Sequence, residues 1–500
     1  MVSVRSLSMT IVRTIFQQPL RRLMVLALTS VLAAPGFARE ARPDALDSGG
    51  CWVGTWASSP QRGDAKNAPP APGFADTTLR QIVHVSAGGE RLRVRFSNAF
   101  GTSPLTITSA HVALAAGGSA IRTESDRALT FGGEPSVTIP PGALMVSDAV
   151  DFNLPALSNL AVTIFLRGAP DGITTHPGSR ETSYLVAGNA VSAQTLPGAS
   201  QTDHWYFLNG VDVFIRDSGA AVAILGDSIT DGHGSTTNGN DRWPDDLSRR
   251  LQANRATAGI GVLNEGIGGN RLLHDGLGPN ALARLDRDVL AQTAVRWLIV
   301  LEGINDIGTR SATVGQIIEA YQQIILRAHA HHIRVYGATI MPYGISFYFS
   351  RAGEAVRQAV NRWIRTSGQF DSVIDMDAAT RDPHNPSQLS PATASHDHLH
   401  PGPPGYRMMS DAVSLNLFTA EKVTGCEDHR QETVKAASLQ TWRQFGVCQR
   451  NGLRVCAATS RITIFPATLN RVGGEEAEKA SCRADSGAVY PRRDPVRQSL

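Results

Sequence analysis

Cysteine is scarce in this sequence and is absent from its centre. The 500 residues contain five cysteines: Cys51 near the start, and Cys426, Cys448, Cys456 and Cys482 near the end. The long middle of the chain must therefore fold around a hydrophobic core without disulfide bonds. None of the five has the Cys-x-x-Cys spacing of zinc or redox sites, and their odd number leaves at least one thiol unpaired.

The sequence also lacks a large excess of either charge. Its 47 Lys and Arg residues nearly balance 44 Asp and Glu residues, which gives a formal net charge of +3. Such a balance argues against a nucleic-acid partner, which would need a basic surface to hold phosphates. With 42% hydrophobic and 18% charged residues the chain is of the globular class, and its length indicates more than one domain.

A hydrophobic run long enough to cross a bilayer is missing at the N-terminus. The apolar run at residues 23–34 follows four arginines and precedes Gly36-Phe37-Ala38, a small-x-small sequence. Because a membrane span needs ~20 apolar residues, this run predicts a signal peptide over residues 1–38, with a membrane anchor as the alternative. We expect a secreted or periplasmic protein without a stable membrane anchor, and a linker at residues 39–50.

Residues 51–217 show little helical periodicity. Short β-prone runs separated by Gly, Pro and Asn predict an all-β sandwich or jelly-roll domain in this part of the chain. The predicted strands are 78–85, 91–96, 105–114, 136–139, 161–165 and 211–215.

Residues 218–422 instead alternate apolar runs with amphipathic helical stretches. This pattern predicts a three-layer α/β/α domain of the flavodoxin-like type, with a five-stranded parallel sheet. The predicted strands are 221–225, 262–264, 297–301, 335–340 and 373–376, and the predicted helices are 244–253, 281–292, 314–331, 352–366 and 403–419. Residues 423–500 mix charges, glycines and prolines without a period, which predicts a disordered C-terminal tail.

Three residues at the predicted carboxyl edge of this sheet form a candidate catalytic triad. Ser228 lies in the sequence GDSIT, in the turn after the first strand, and Asp397 and His400 lie in DHLHP, before the last helix. A serine needs a base to take its proton and a third group to orient that base. An Asp three residues before a His can bind the ring Nδ1–H and leave Nε2 to act as the base.

Candidate oxyanion donors follow the next two strands. Gly269 lies in the glycine-rich sequence GIGGN, where backbone amides can approach a ligand closely, and Asn305 in EGIND can donate from its side-chain amide. With the backbone amide of Ser228, these two residues give three donors for a tetrahedral intermediate.

In chain order the four blocks are GDSIT, GIGGN, EGIND and DHLHP, each after its expected strand. Together they resemble the SGNH (GDSL-type) hydrolase family. The resemblance covers about residues 221–419, while the β-rich region before it is similar to the front domain of a secreted two-domain esterase subgroup. It implies a serine ester hydrolase that works through an acyl-enzyme, with Ser228, Asp397 and His400 as the triad and without a cofactor or metal. The expected substrates are small-molecule or polysaccharide acyl esters, with short acyl groups on carbohydrates first.

Other functions also fit parts of the sequence. Lipid-directed (lysophospholipase-like) or aryl esterases occur in the same family, and an acyltransferase would share the acyl-enzyme. A protein of another class, an inactive carbohydrate-binding or surface protein, would keep the fold without the chemistry. Oligomeric state is not encoded in any motif.

Several of these residues have a structural alternative. Ser228 could only cap a helix, and Asn305 could only cap a turn. Trp243, a candidate substrate contact, could equally be a core residue at a helix start. His396 and His398 alternate with His400, which would also suit metal ligands on an extended strand.

Overall fold

The computed structural model describes residues 50–216 and 219–419, together with two short strands further on. All of these residues belong to one compact unit. The predicted signal peptide and almost all of the predicted linker lie outside the described residues, as do residues 217 and 218 at the predicted domain boundary. Among the described helices, none combines the length and apolarity that a membrane crossing needs.

The first part of the chain is built from β-strands, as the sequence predicts. Its strands are β1 Cys51–Ala57, β2 Gln61–Arg62, β3 Thr77–His84, β4 Gly89–Ser97, β5 Leu105–Ile107, β6 Ser109–Gly117, β7 Ala120–Ile121, β8 Arg127–Leu129, β9 Val137–Ile139, β10 Leu144–Val146, β11 Val150–Leu154, β12 Asn159–Leu166, β13 Thr174–Pro177, β14 Ser183–Ala187, β15 Ser200–Thr202, β16 His204–Tyr206 and β17 Leu208–Ile215, with one 3₁₀ turn at Thr123–Ser125.

These strands form two main antiparallel sheets. One has the order β1-β17-β4-β10 with β11 also on β4, and the other has the order β15-β14-β3-β12-β6-β7 with β8 also on β6. Smaller sheets are made by β16-β13-β2 and β5-β9. Leu160, Val162 and Ile164 of β12 are fully buried in a shared core, and the residues between them are buried as well. Period-2 burial of the kind that the β-prone runs predict is seen in β11, where Phe152 and Leu154 are buried and Asp151 and Asn153 are exposed.

The second part of the chain is an α/β fold. Its elements are β18 Ala220–Gly226, α1 Ser228–Asp231, α2 Trp243–Ala253, β19 Ile260–Gly266, α3 Ala281–Leu285, β20 Val295–Leu301, α4 Ile304–Gly308, α5 Val314–Ala330, β21 Arg334–Ala338, α6 Arg351–Thr366, β22 Ser372–Ile374, α7 Met376–Thr380 and α8 Pro403–Asp411.

Its five strands are all parallel, in the order β19-β18-β20-β21-β22. This is the flavodoxin-like order, so the predicted fold class is confirmed. The strands are almost continuously apolar because helices cover both faces of the sheet. The strand order also brings the loops after β19, β18 and β20 side by side at the carboxyl edge, where the candidate residues lie.

Two predicted helices are interrupted. The helix predicted at 281–292 is α-helical to Leu285 and then continues as the π-turn Asp286–Leu290, and the helix predicted at 403–419 ends at Asp411 before a 3₁₀ turn, Leu415–Phe418. In the predicted C-terminal tail the structure describes one antiparallel pair, β23 Leu453–Ala457 and β24 Ile462–Pro466. The rest of that tail lies outside the described residues.

The β-rich and α/β parts pack directly against each other. The backbone amide of Gly54 in β1 donates to the carbonyl of Thr293 (3.1 Å), and the Ser86 hydroxyl accepts from the amide of Val262 in β19 (2.8 Å). Ser59 donates to the Glu265 carboxyl at the end of β19 (2.7 Å). The β-rich part therefore supports the strand that precedes the oxyanion loop.

Candidate active site

Ser228 is presented by a tight turn between β18 and α1. The Asp227 side chain accepts a hydrogen bond from the backbone amide of Ile229 (2.9 Å), which caps the short helix α1. A side chain at Gly226 would lie 3.1 Å from the carbonyl oxygen of Leu301 and closer still to Thr230. A glycine is therefore needed where the strand turns, and Ser228 begins the helix at the carboxyl edge of the sheet.

Ser228, His400 and Asp397 form a hydrogen-bonded chain. The Ser228 Oγ lies 2.8 Å from His400 Nε2, and His400 Nδ1 lies 2.6 Å from Asp397 Oδ2. Ser228 comes from the turn after β18, whereas the other two residues come from the loop before α8. In this arrangement the imidazole is held by the carboxylate through one nitrogen and faces the serine hydroxyl with the other.

Asp397 is held as a carboxylate by its surroundings. Partial burial disfavours its charge, but hydrogen bonds from the backbone amide and ring of His400, the amide of Leu399 and the hydroxyl of Ser395 outweigh burial and lower its pKa well below the ordinary value. The carboxylate therefore stays ionised at neutral pH and fixes the tautomer of the ring.

Burial keeps the His400 ring neutral. The side chain is largely enclosed, and this burial lowers its pKa although the hydrogen bond to Asp397 opposes the effect; the nearby ring of His233 adds to the lowering. A neutral imidazole at neutral pH is the form that can accept a proton from Ser228.

The three candidate oxyanion donors come from three adjacent loops. Gly269 has φ +68°, in the left-handed region, and Asn305 is buried in the first turn of α4. One amide hydrogen of Asn305 is used in a bond to the carbonyl of Asn270 (2.9 Å), which ties α4 to the loop after β19. No hydrogen-bond acceptor within the described ranges engages the backbone amides of Ser228 or Gly269. These amides remain available to a ligand oxygen.

The structure places Trp243 in the core instead of at a substrate surface. Its side chain is fully buried, packs in the core of the α/β part and directs its indole N–H towards the Thr230 hydroxyl (3.4 Å). The interpretation of Trp243 as a substrate contact is therefore wrong, because no face of the ring reaches the site.

The alternating histidines His396, His398 and His400 do not form a set of metal ligands. The described side chains that could share one ion are His233, Asp397 and His400, and His396 and His398 are not among them. His398 has φ +57°, so the backbone turns here and the alternation of an extended strand is lost. Asp397 and His400 are already bonded to each other, which accounts for this grouping without an ion.

Sequence comparison gives the family of this part of the chain. Residues 224–408 match the GDSL-like Lipase/Acylhydrolase family. The chain carries a GDSL-like domain. It is therefore a carboxylic ester hydrolase, as the resemblance in its four blocks implies. No curated protein matches the sequence.

Solved structures that resemble the GDSL-like domain include three bacterial proteins. A lipolytic protein of the G-D-S-L family from Desulfitobacterium hafniense has 20% identity and a TM-score of 0.32, with 39% of this chain and 97% of that chain covered. An acetyl xylan esterase variant from Geobacillus stearothermophilus has 22% identity and a TM-score of 0.31 (39% and 93% covered), and an acylhydrolase from Bacteroides fragilis has 18% and 0.31 (41% and 88% covered). The assignment rests on the family match and not on these likenesses.

Two residues beside the hydrogen-bonded chain of Ser228, His400 and Asp397 were not predicted from the sequence. The ring of His233 lies 4.1 Å from the ring of His400 between centroids, and its Nε2 lies 3.9 Å from Asp397 Oδ2. Its position between two glycines, five residues after Ser228, is a signal that could have found it. Ser395, which binds Asp397, carries no such signal.

Below the site of the GDSL-like domain lies a group of buried carboxyl groups around one arginine. The Arg284 guanidinium is buried, donates to the carbonyls of Gly226 (3.0 Å) and Glu265 (2.6 Å) and lies 3.2 Å from Asp288. Glu302, also buried, is 3.6 Å from the same guanidinium, and its carboxyl oxygens have no hydrogen-bond partner among the described residues. Arg287 also lies 2.5 Å from Asp288, so two cations face this larger group of acidic side chains.

Burial raises the pKa of these carboxyl groups. Burial and the neighbouring Asp288 raise the pKa of Glu265 to about 8. Burial, with nearby carboxylates, raises the pKa of Asp227 to about 7 and that of Glu302 well above its ordinary value. At neutral pH the folded protein therefore holds protons that the unfolded chain has released.

We expect the free energy of unfolding to fall between pH 7 and pH 9. A raised folded pKa contributes stability that is complete below the unfolded value of about 4 and is lost as pH rises through the folded values. For each carboxyl that is protonated in the folded protein and ionised in the unfolded chain, the free energy of unfolding falls by about 1.4 kcal/mol per pH unit. We therefore expect a fall of about 1–3 kcal/mol between pH 7 and pH 9. The pKa values of His84 and His400 are lowered, so these two groups change the free energy of unfolding only below about pH 6.5, outside this pH range.

Urea unfolding at pH 7, 8 and 9 measures this slope. The Glu302→Gln variant carries a neutral group of the same shape, so its stability should fall less steeply than that of the wild type. A wild-type stability that is constant or rises over this range would contradict the assignment of protonated carboxyl groups.

Proposed function

We propose that the protein is an exported serine esterase that removes short acyl groups from carbohydrates through an acyl-enzyme on Ser228. The observation that carries this proposal is the hydrogen-bonded chain from Ser228 Oγ to His400 Nε2 (2.8 Å) and from His400 Nδ1 to Asp397 Oδ2 (2.6 Å). It lies at the carboxyl edge of a parallel sheet, where α/β folds bind ligands.

In the first half of the reaction, Ser228 Oγ forms a bond to the ester carbonyl carbon while His400 Nε2 takes the hydroxyl proton. Asp397 stabilises the imidazolium that results. The carbon–oxygen bond to the alcohol then breaks, and the proton on His400 passes to the leaving alcohol oxygen. The products of this half are the free alcohol and an acyl group on Ser228.

In the second half, water attacks the acyl carbon and gives one proton to His400. The bond to Ser228 Oγ breaks, the proton returns to the serine, and the carboxylic acid leaves. Each tetrahedral intermediate carries a negative oxygen, for which the amides of Ser228 and Gly269 and the side chain of Asn305 are the donors in this proposal. Oxyanion donors typically contribute about 3–4 kcal/mol each to the transition state.

Export is supported by two features of the chain. The basic and apolar N-terminal sequence has the order of a signal peptide. In addition, Cys51, close to the start of the proposed mature chain, is disulfide-bonded. Disulfide bonds persist mainly in oxidising compartments outside the cytoplasm.

A second candidate substrate class is favoured by exposed apolar side chains in loops at the carboxyl edge of the sheet. Leu277 is 71% exposed and lies next to Gly269, and Ile345 and Phe347 in the loop after β21 are 60% and 73% exposed. Exposed apolar side chains that form a contiguous patch often mark a ligand surface. They would suit an apolar acyl or aryl group as well as the apolar face of a sugar ring.

Hydrolysis of p-nitrophenyl esters from acetate to palmitate distinguishes the two classes. Activity confined to acetate and other short esters supports a short acyl group, whereas a preference for long chains or aryl acyl groups moves the substrate to the second class.

A fluorophosphonate probe tests the serine mechanism itself. We expect the probe to label the wild type once, at Ser228 by peptide mass analysis, and to leave the Ser228→Ala variant unlabelled. Ester hydrolysis by a protein that resists the probe, or that survives in the variant, would overturn the proposed mechanism.

A further inference from the structure

A loop of the β-rich part reaches the mouth of the candidate active site. This loop, between β13 and β14, lies against the loop that follows Ser228. The Asn238 amide donates to the carbonyl of Arg180 (2.8 Å), and the amide of Thr182 donates to the Asn238 side chain (2.8 Å). Arg180 is therefore fixed at its backbone by the catalytic part of the protein.

The side chain of Arg180 points at the histidines of the site. Its Nη2 lies 3.5 Å from Nδ1 of His233, and the His233 ring lies 4.1 Å from the His400 ring between centroids. The guanidinium is thus separated from the catalytic base by a single imidazole ring. It is only partly buried, so a substrate can reach it.

Arg180 has no counter-ion in the part of the chain that the structure describes. It forms no ion pair with a carboxylate there, and its buried Nε has no hydrogen-bond partner. The adjacent Glu181 has Arg242 as its principal cationic neighbour, and burial raises the pKa of Glu181 to about 7. The oxygens of Asp397 are already occupied by Ser395, Leu399 and His400. The positive charge is therefore left uncompensated at the mouth.

The backbone at Arg180 is also unusual. Its φ is +56°, in the left-handed region that residues other than glycine, asparagine and aspartate seldom occupy. Such strain is found most often where the surrounding structure holds a residue for function. Here it directs a long cationic side chain across the interface into the site.

We propose that Arg180 binds an anionic oxygen group of the substrate, so that the enzyme prefers esters that carry a carboxylate or phosphate close to the scissile bond. This inference rests on the proposed function, since it concerns the same site. A guanidinium binds either anion through two parallel N–H donors. The β-rich part would then contribute substrate specificity directly, by one side chain beside the triad.

A different role for Arg180 would act on all esters alike. Its positive charge is among the causes of the lowered pKa of His400 and of His233. Loss of that charge would change the pKa of His400 and so affect the hydrolysis of neutral and anionic substrates equally. Loss of a contact with a substrate anion would affect only the anionic substrate. The ratio of kcat/KM values for matched esters separates the two roles.

The test compares two pairs of esters that differ in one charge. Mono-4-nitrophenyl succinate and its methyl ester place the charge on the acyl side, and 4-acetoxybenzoate and its methyl ester place it on the alcohol side. We expect the wild type to favour the anionic member of one pair, and Arg180→Met to lower that preference about tenfold through KM. Arg180→Lys should keep part of the preference, and Arg167→Met, which removes an exposed arginine of the same region, should keep all of it.

Binding to the Ser228→Ala protein gives a readout that does not depend on turnover. Calorimetry with glucuronate and with glycerol 3-phosphate distinguishes a carboxylate from a phosphate as the recognised group, and Arg180→Met in this background should weaken the tighter of the two about tenfold. A preference ratio that is unchanged in Arg180→Met, or equal binding by both proteins, overturns the inference. In that case the proposed serine mechanism would still hold if the wild type hydrolyses neutral esters and the Ser228→Ala variant does not.

Discussion

Replacing Asp397 by asparagine is expected to lower kcat for an ester substrate about 10⁴-fold, with KM changed only a few-fold. The carboxylate accepts the His400 Nδ1–H at 2.6 Å and so keeps Nε2 unprotonated towards Ser228. An asparagine amide can instead donate to Nδ1, which favours the tautomer with its proton on Nε2. That tautomer cannot take the serine proton.

The matched control is Ser395→Ala, which removes one hydrogen bond to Asp397 (2.7 Å) but keeps the carboxylate and its bonds to His400. We expect a loss of at most about tenfold, since one neutral-to-charged hydrogen bond contributes about 1.5 kcal/mol. Steady-state kinetics with p-nitrophenyl acetate from pH 6 to pH 9 checks both variants. Because the pKa of Asp397 lies far below this range, the deficit of Asp397→Asn should be the same at every pH. A deficit under tenfold would remove Asp397 from the triad.

The parallel sheet could be predicted because its strands carry a strong local signal. β18 and β20 are almost wholly apolar; β18 ends in Gly226 before Asp227, and β20 is followed by Glu302 and Gly303 at the carboxyl edge. The relative position of Asp397 and His400 could be predicted too, since they lie three positions apart in one loop. Both inferences need only nearby residues.

The rest of the site depends on contacts between distant parts of the chain. Arg180 lies 53 residues before its partner His233 and belongs to a loop without a motif. Its importance follows from the packing of the β-rich part on the GDSL-like domain, which no sequence pattern encodes. Trp243 shows the reverse case: its place beside the nucleophile loop suggested a substrate contact, but only the fold shows that the ring turns into the core.

The β-rich part illustrates a similar limit. Short strands such as Gln61–Arg62 and Ala120–Ile121 have too few residues to show an alternating pattern. The predicted strand 105–114 is in fact two strands, Leu105–Ile107 and Ser109–Gly117, which belong to different sheets. An apolar run cannot reveal where a chain crosses from one sheet to another.

Replacing Arg284 by methionine is expected to lower the free energy of unfolding by about 3–5 kcal/mol at pH 7. The guanidinium is fully enclosed and lies within 3.6 Å of the carboxyl oxygens of Asp288 and Glu302. Methionine fills much of the same volume but removes the cation that faces Glu302, and it leaves Asp288 with Arg287 alone (2.5 Å). It also removes the donors to the carbonyls of Gly226 and Glu265, which hold the ends of β18 and β19 beneath the catalytic loops.

Urea unfolding of Arg284→Met and of a surface control compares the loss of a buried arginine with the loss of an exposed one. Arg327→Met removes an ion pair with Asp286, whose side chain is 74% exposed, and a hydrogen bond to the carbonyl of Leu282 (2.8 Å), so a change of at most about 1.5 kcal/mol is expected. The loss in Arg284→Met should be greater at pH 9 than at pH 6, because the carboxyl groups with raised pKa values release their protons as pH rises. A loss below 1 kcal/mol at both pH values would mean that the acidic groups remain neutral without Arg284, and its hydrogen bonds to the two strand ends would then be its whole contribution.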